Sequence, residues 1–198
     1  FTEGNWNTDQ TVTVTGVNDT DRDRHQAYKI SLNAADQDTD NPEVSTFAGS
    51  GSSGSTNATG TSATFKYPRG MTSDGTNLYV TDATNNLIRK IVISTGAVTT
   101  FAGSTSSGST DATGTSARFN FPMEITTDGT NLYVADQNNH MIRKIVIATR
   151  VVTTFAGSTS SGSTNATGTS ARFNKPRGIT TDGTNLYVGD SNNHTIRK

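Results

Sequence analysis

Between residues 68 and 102 the apolar positions fall in short runs, each closed by turn-forming residues. Pro68 cannot donate to a ladder and so marks a strand start, placing a first strand near Gly70–Ser73. Asp74-Gly75-Thr76-Asn77 is a hairpin signal leading to a second strand, Leu78–Thr81. A turn at Asp82–Asn86 leads to a third, Leu87–Ser94, and Thr95-Gly96 turns into a fourth, Ala97–Ala102. No window sustains a 3.6-residue period, and Thr and Val enrichment favours strands, so the pattern predicts an all-β chain.

The same pattern recurs. Phe47-Ala48-Gly49 returns as Phe101-Ala102-Gly103 and Phe155-Ala156-Gly157, a spacing of 54 residues that Pro68, Pro122 and Pro176 also keep. Asp74, Asp128 and Asp182 hold the register, and so does each Leu-Tyr-Val triplet. Four short antiparallel strands per unit make a propeller blade, which cannot cover both faces of its sheet without neighbours. The expected architecture is about three blades, the last ending after its third strand, within a fragment of a larger protein. Val44–Ala48 repeats the fourth-strand sequence and is expected to form a closing strand. Phe65, Phe119 and Phe173, each just before the blade's proline, are expected to plug the crevices between blades.

Pro122-Met123-Glu124-Ile125-Thr126-Thr127-Asp128-Gly129, then Asn131-Leu132-Tyr133-Val134-Ala135-Asp136 and Asn139-His140-Met141-Ile142-Arg143-Lys144-Ile145, resembles the NHL repeat. Residues 176–194 fit that motif best, with Gly178 and His194 both present; Glu124 and Asn86-Leu87 depart from it in the other copies. The resemblance implies an NHL-type β-propeller over residues 44–198, in a family that usually has six blades. Residues 1–43 read as two alternating strands around the acidic loop Asn18–Arg24 and resemble part of a Calx-β module. That likeness implies an extracellular or cell-surface bacterial protein.

Charge sharpens this division. The net charge of −1 hides an acidic N-terminal region and a basic repeat region, with the sign changing near residue 46. There are no cysteines, which excludes disulfides and thiolate metal sites. No signal-peptide pattern follows Phe1, and no apolar run approaches a membrane span.

Topology places the turns Asp82–Asn86, Asp136–His140 and Asp190–His194 on one face with the long Gly/Ser/Thr connections Gly49–Thr64, Gly103–Ala117 and Gly157–Ala171. Loops on a rigid scaffold are where binding concentrates, so Asp82, Asn86, Asp136, His140, Asp190 and His194 are the candidate binding face for a protein or glycan. The three Asp could be metal ligands or acids. Their recurrence in every blade favours a structural role, accepting backbone N–H groups of their own turns, because an active site needs unlike residues.

His140 and His194 sit in equivalent turns. Some NHL-like propellers, such as the peptide-amidating lyases, hold zinc with histidines from different blades, but two ligands fall short of the usual three. Asp36, Asp38 and Asp40 alternate like the start of a calcium loop, yet Asn41 and Phe47 stand where an EF-hand needs Gly and Glu. A looser Ca²⁺ site shared with Asp19, Asp21 and Asp23, or a solvated acidic linker, remains.

The Arg89-Lys90, Arg143-Lys144 and Arg197-Lys198 pairs make the repeats basic, but adjacent strand residues point to opposite sides and no aromatics interleave with them, which argues against nucleic acid. No nucleophile-elbow, phosphate-loop or metalloprotease spacing occurs. The expected function is therefore a non-catalytic binding scaffold. The alternatives are a metal-dependent lyase or hydrolase with its site in the propeller channel, and a nucleic-acid-binding propeller.

Overall fold

A computed structural model describes residues 44–198. Three antiparallel sheets follow one another along the chain. The first holds β1 (Pro68–Ser73), β2 (Asn77–Asp82), β3 (Leu87–Val92) and β4 (Val98–Gly103), in that order. The second repeats it with β5 (Pro122–Thr127), β6 (Asn131–Asp136), β7 (Met141–Val146) and β8 (Val152–Gly157). The third holds β9 (Pro176–Thr181), β10 (Leu186–Asp190) and β11 (Thr195–Arg197). These are three consecutive β-propeller blades, with the first strands β1, β5 and β9 lying side by side.

The strands fall where the pattern predicts, within two residues. The first begins earlier, at Pro68, because Pro68 pairs with Asp82 across an irregularity before the regular ladder resumes at Met71. Such a bulge re-aims the strand end, here the end that carries the loop face.

Val44–Ala48 differs from expectation: it forms no strand. Its counterpart in β4 takes its ladder from β3, with Ile88 opposite Ala102 and Leu87 opposite Gly103. No third strand of a preceding blade is present among the described residues to pair with Phe47 or Ala48. A strand sequence without a partner strand has no ladder to join.

Apolar packing runs between blades. Tyr79 and Phe101 of blade one meet edge-to-face at 5.0 Å and share a cluster with Phe119, Leu132, Ile145 and Val152 of blade two. Phe119 is fully buried, as a crevice plug should be, and Phe173 is buried in the corresponding place between blades two and three. Each such side chain contributes about 1.5–3 kcal/mol by leaving water.

Two glycines permit the close approach. Gly103 has φ +89°, and a Cβ there would lie 2.5 Å from the Asn86 carbonyl and 3.0 Å from the Phe119 ring. A Cβ on Gly70 would lie 2.6 Å from Cα of Glu124, so β1 and β5 touch at backbone distance.

Candidate functional site

The turn after each second strand is a single 3₁₀ turn: Ala83–Asn85, Gln137–Asn139 and Ser191–Asn193. A left-handed residue closes each one, namely Asn86, His140 and His194, with φ of 57°, 57° and 55°. Asn and His tolerate this conformation better than most side chains.

Beneath each turn lies a buried polar clamp, built the same way three times. Asp82, Asp136 and Asp190 are 0% exposed. Each uses Oδ1 to accept the backbone N–H that leads into its own blade, from Lys66 at 2.7 Å, Asn120 at 2.8 Å and Asn174 at 2.7 Å. Each Oδ2 accepts the amide of Asn85, Asn139 or Asn193 and the guanidinium of Arg89, Arg143 or Arg197 at 2.9, 3.0 and 2.9 Å. The expectation that these Asp cap their own turns is thus corrected: the backbone donor lies sixteen residues upstream in each blade.

The arginines carry the clamp outward into the long connection. Arg143 donates to the carbonyls of Arg118 and Thr110 and to Asp111 at 2.6 Å. Arg89 and Arg197 repeat this with Thr64, Thr56 and Asn57, and with Arg172, Thr164 and Asn165. Each guanidinium also sits over the plug phenylalanine, 5.1–5.2 Å from the ring centre. Asn85, Asn139 and Asn193 complete the tie by donating to Gly54, Gly108 and Gly162, all at 2.7 Å. The Gly/Ser/Thr connections are therefore fastened to the sheets at several points.

Burial raises the Asp136 carboxyl to about 6 against the opposing pull of Arg143, Asn120 and Asn139. At the far end of the blades, Asp74 behaves in the opposite way. Burial alone would raise it, but the N–H groups of Asn77 and Thr76, the Asn77 amide and the Tyr79 hydroxyl outweigh that and hold it at about 2.

The closing residues staple one blade to the next. Asn86 Oδ1 accepts the Phe121 N–H at 2.9 Å, and His140 Nδ1 accepts the Lys175 N–H at 3.0 Å. That nitrogen can accept only when unprotonated. Burial lowers the His140 pKa, Lys175 lowers it further, and Asp190 partly opposes them. A histidine with a depressed folded-state pKa gives stability that is complete above its ordinary value of 6.5 and is lost as pH falls below it. Asp136, with its raised pKa, has the opposite sign and loses its contribution as pH rises from 3.8 through about 6. His140→Asn, which copies Asn86, isolates the histidine. The melting temperatures of the two proteins are expected to agree at pH 7.5 and to separate below pH 6.5, with the histidine form falling first.

The candidate face thus divides in two. Asn86, His140 and His194 lie in the surface turns, while Asp82, Asp136 and Asp190 form the buried floor. Among the described residues no three His, Asp or Glu side chains come together as a metal cluster, and no helix is long and apolar enough to cross a membrane. The calcium candidates Asp36, Asp38 and Asp40 lie outside the described residues.

A second set of residues comes from where the near-identical blades differ. From blade two to blade three, Phe121 becomes Lys175, Met123 becomes Arg177, Glu124 becomes Gly178, Ala135 becomes Gly189, Gln137 becomes Ser191 and Met141 becomes Thr195. The only other difference over the shared stretch is Asp111 to Asn165. The six cluster at one end, around the start of the first strand, the end of the second and the 3₁₀ turn. Blade one places Tyr67 and Arg69 there. Tyr67 is 57% exposed, and the Arg69 guanidinium stacks 4.0 Å from its ring centre. Because β1, β5 and β9 are neighbours, Tyr67, Phe121 and Lys175, with Arg69, Met123 and Arg177 and with Gly70, Glu124 and Gly178, meet at one end of the first strands as a mouth of unlike residues. Ala135, Gln137 and Met141 lie buried on the second strand, the turn and the third strand.

Comparison with known proteins agrees with this architecture. Residues 173–198 match the NHL repeat model. Over 168 residues the chain is 34% identical to NHL repeat-containing protein 2 of Bos taurus, covering 76% of this chain and 23% of that protein. The chain thus spans about a quarter of the length of the curated relatives it matches. A Bacteroides thetaiotaomicron protein of unknown function superposes with a TM-score of 0.57 at 28% identity, covering 61% of this chain and 31% of the other. An auxiliary nutrient binding protein from Bacteroides ovatus superposes with a TM-score of 0.54 at 25% identity, covering 62% and 34%.

Proposed function

We propose that this chain, whose blades are NHL-type repeats, is a non-catalytic binding scaffold that holds a glycan or protein at the mouth of its innermost strands. The observation that carries this reading is the separation of roles among residues. The Asp and Arg that recur seven residues apart in every blade are consumed by the buried clamp, where the three Asp are wholly inaccessible. The recurring Asp74, Asp128 and Asp182 are taken up by their own hairpin turns. The mouth positions differ from blade to blade and include an exposed aromatic–arginine pair, Tyr67 and Arg69. An aromatic face with an adjacent guanidinium suits a sugar ring or a peptide side chain, offering apolar contact beside polar donors.

The likeness to an auxiliary nutrient binding protein supports a binding role. The Calx-β-like pattern of residues 1–43 supports a place at a bacterial cell surface. An immobilised array of oligosaccharides and peptides tests the reading. The chain is expected to bind a restricted set, and Tyr67→Lys, which installs the residue of blade three, is expected to change that set. Turnover of any arrayed compound, with no retained binding, would overturn it.

A further inference from the structure

We infer that His140 is a positioning residue for the mouth and makes its grip pH-sensitive: neutral, it holds the start of β9 in place, and protonated it lets that segment go. This rests on the binding role above and adds the regulation of that same site.

Each blade enters its first strand through one strained residue. Tyr67, Phe121 and Lys175 stand directly before Pro68, Pro122 and Pro176, with φ of 63°, 58° and 54°. Side chains with a Cβ rarely adopt such left-handed backbone, and it persists only where neighbours hold it. In blades two and three it is held through two consecutive N–H groups. The blade's own buried Asp accepts the first: Asn120 donates to Asp136 at 2.8 Å, and Asn174 to Asp190 at 2.7 Å. The preceding blade's turn accepts the second: Phe121 donates to Asn86 Oδ1 at 2.9 Å, and Lys175 to His140 Nδ1 at 3.0 Å.

The two junctions share a geometry and differ in chemistry. An amide oxygen accepts at every pH, whereas a ring nitrogen accepts only while it carries no proton. Protonation of His140 turns that acceptor into a donor pointing at another donor, with the Lys175 ammonium nearby. Asn174 stays tied to Asp190, so the change is confined to Lys175, Pro176 and Arg177 while the blade stays folded. Lys175 and Arg177 are the charges that blade three brings to the mouth.

Few charged groups act on the ring. Burial and Lys175 disfavour its protonated form, and Asp190 partly opposes them, so it titrates below its ordinary value of 6.5. Asp136, at the other end of the same turn, is raised to about 6 by burial, but it holds Asn120 of blade two and not the start of β9.

Amide hydrogen exchange of the whole chain, followed by NMR at pH 7.5 and pH 5 and corrected for intrinsic rates, reads the staple directly. The Phe121 N–H, held by Asn86, is the internal reference. Relative to it, protection of the Lys175 N–H is expected to fall about fivefold in acid, the factor for losing one hydrogen bond. In His140→Asn, whose amide oxygen copies that of Asn86, this fall is expected to vanish, whereas any part owed to Asp136 would remain. The oligosaccharide and peptide array at the same two pH values reads the mouth. Compounds retained at pH 7.5 are expected to be released at pH 5 by the parent, while His140→Asn keeps at pH 5 what it retains at pH 7.5. Unchanged protection of Lys175, release that persists in His140→Asn, or equal or stronger retention by the parent in acid would each overturn the inference alone. An array that retains nothing at either pH would overturn the binding role and its regulation together.

Discussion

Arg143→Ala is expected to lower the unfolding free energy by about 3–5 kcal/mol, the usual cost of stranding one member of a buried ion pair. That corresponds to a melting temperature about 10 °C lower for a chain of this size. The loss has identifiable parts. Asp136 stays wholly buried with its Oδ2 facing only the Asn139 amide, and the Arg118 carbonyl loses its guanidinium donor, while the Thr110 carbonyl keeps the Arg118 N–H. Asp111 loses its guanidinium partner and keeps only Thr154 of β8.

Arg143 is not an ideal residue for its place, since its Nε is buried without a partner, as is that of Arg89. The pair as a whole is accordingly a modest stabiliser; it is breaking it that is expensive. Lysine should not rescue, because it cannot span Asp136, Asp111 and two carbonyls with one planar fork. Adding Asp136→Asn to Arg143→Ala should recover part of the loss by removing the stranded charge. Urea unfolding of the single and double variants reads this directly, as midpoints shifting at constant slope.

Phe119→Ala is expected to cost a similar 3–5 kcal/mol by a different route, the loss of a large buried side chain and the cavity it leaves. The ring fills the space between Gly103 of blade one and the Arg143 guanidinium of blade two. Its neighbours Tyr79, Leu132 and Ile145 belong to both blades, so the cavity opens at the seam between sheets rather than inside one. Unfolding monitored by tyrosine fluorescence should show the seam failing early. Phe65→Ala makes a useful comparison, because Phe65 is only partly buried and should cost less.

Much of this was legible in the sequence because it is written three times. The 54-residue register, the Pro and Asp-Gly punctuation and the Leu-Tyr-Val triplets place the strands, and the repeated Phe before Pro marks the crevice plug. The clamp was only half legible. Asp and Arg recur seven residues apart in every copy, across a tight turn, which brings them to one end of a two-stranded hairpin. That spacing could have identified Arg89, Arg143 and Arg197 as buried partners rather than surface charge. The upstream backbone donors could not be read, because Lys66, Asn120 and Asn174 contribute only their N–H groups, which any residue but proline could supply.

Val44–Ala48 shows the complementary limit. Its strand sequence is sound, but a strand is a property of two segments, and the second one is not beside it. The mouth was missed for a simpler reason. Attention to what the repeats share leads to the scaffold, while Tyr67, Arg69, Glu124 and Lys175 lie where the repeats disagree.

The measurement that bears most directly on this division of labour is a paired one on Tyr67→Lys: its melting temperature and its binding profile on the oligosaccharide and peptide array. Tyr67 is exposed and blade three already carries lysine at that position, so the melting temperature is expected to stay within about 2 °C of the parent. The binding profile is expected to change. An unchanged profile, or a fold that collapses on this surface exchange, would contradict the claim that the repeated residues hold the propeller and the divergent ones recognise its ligand.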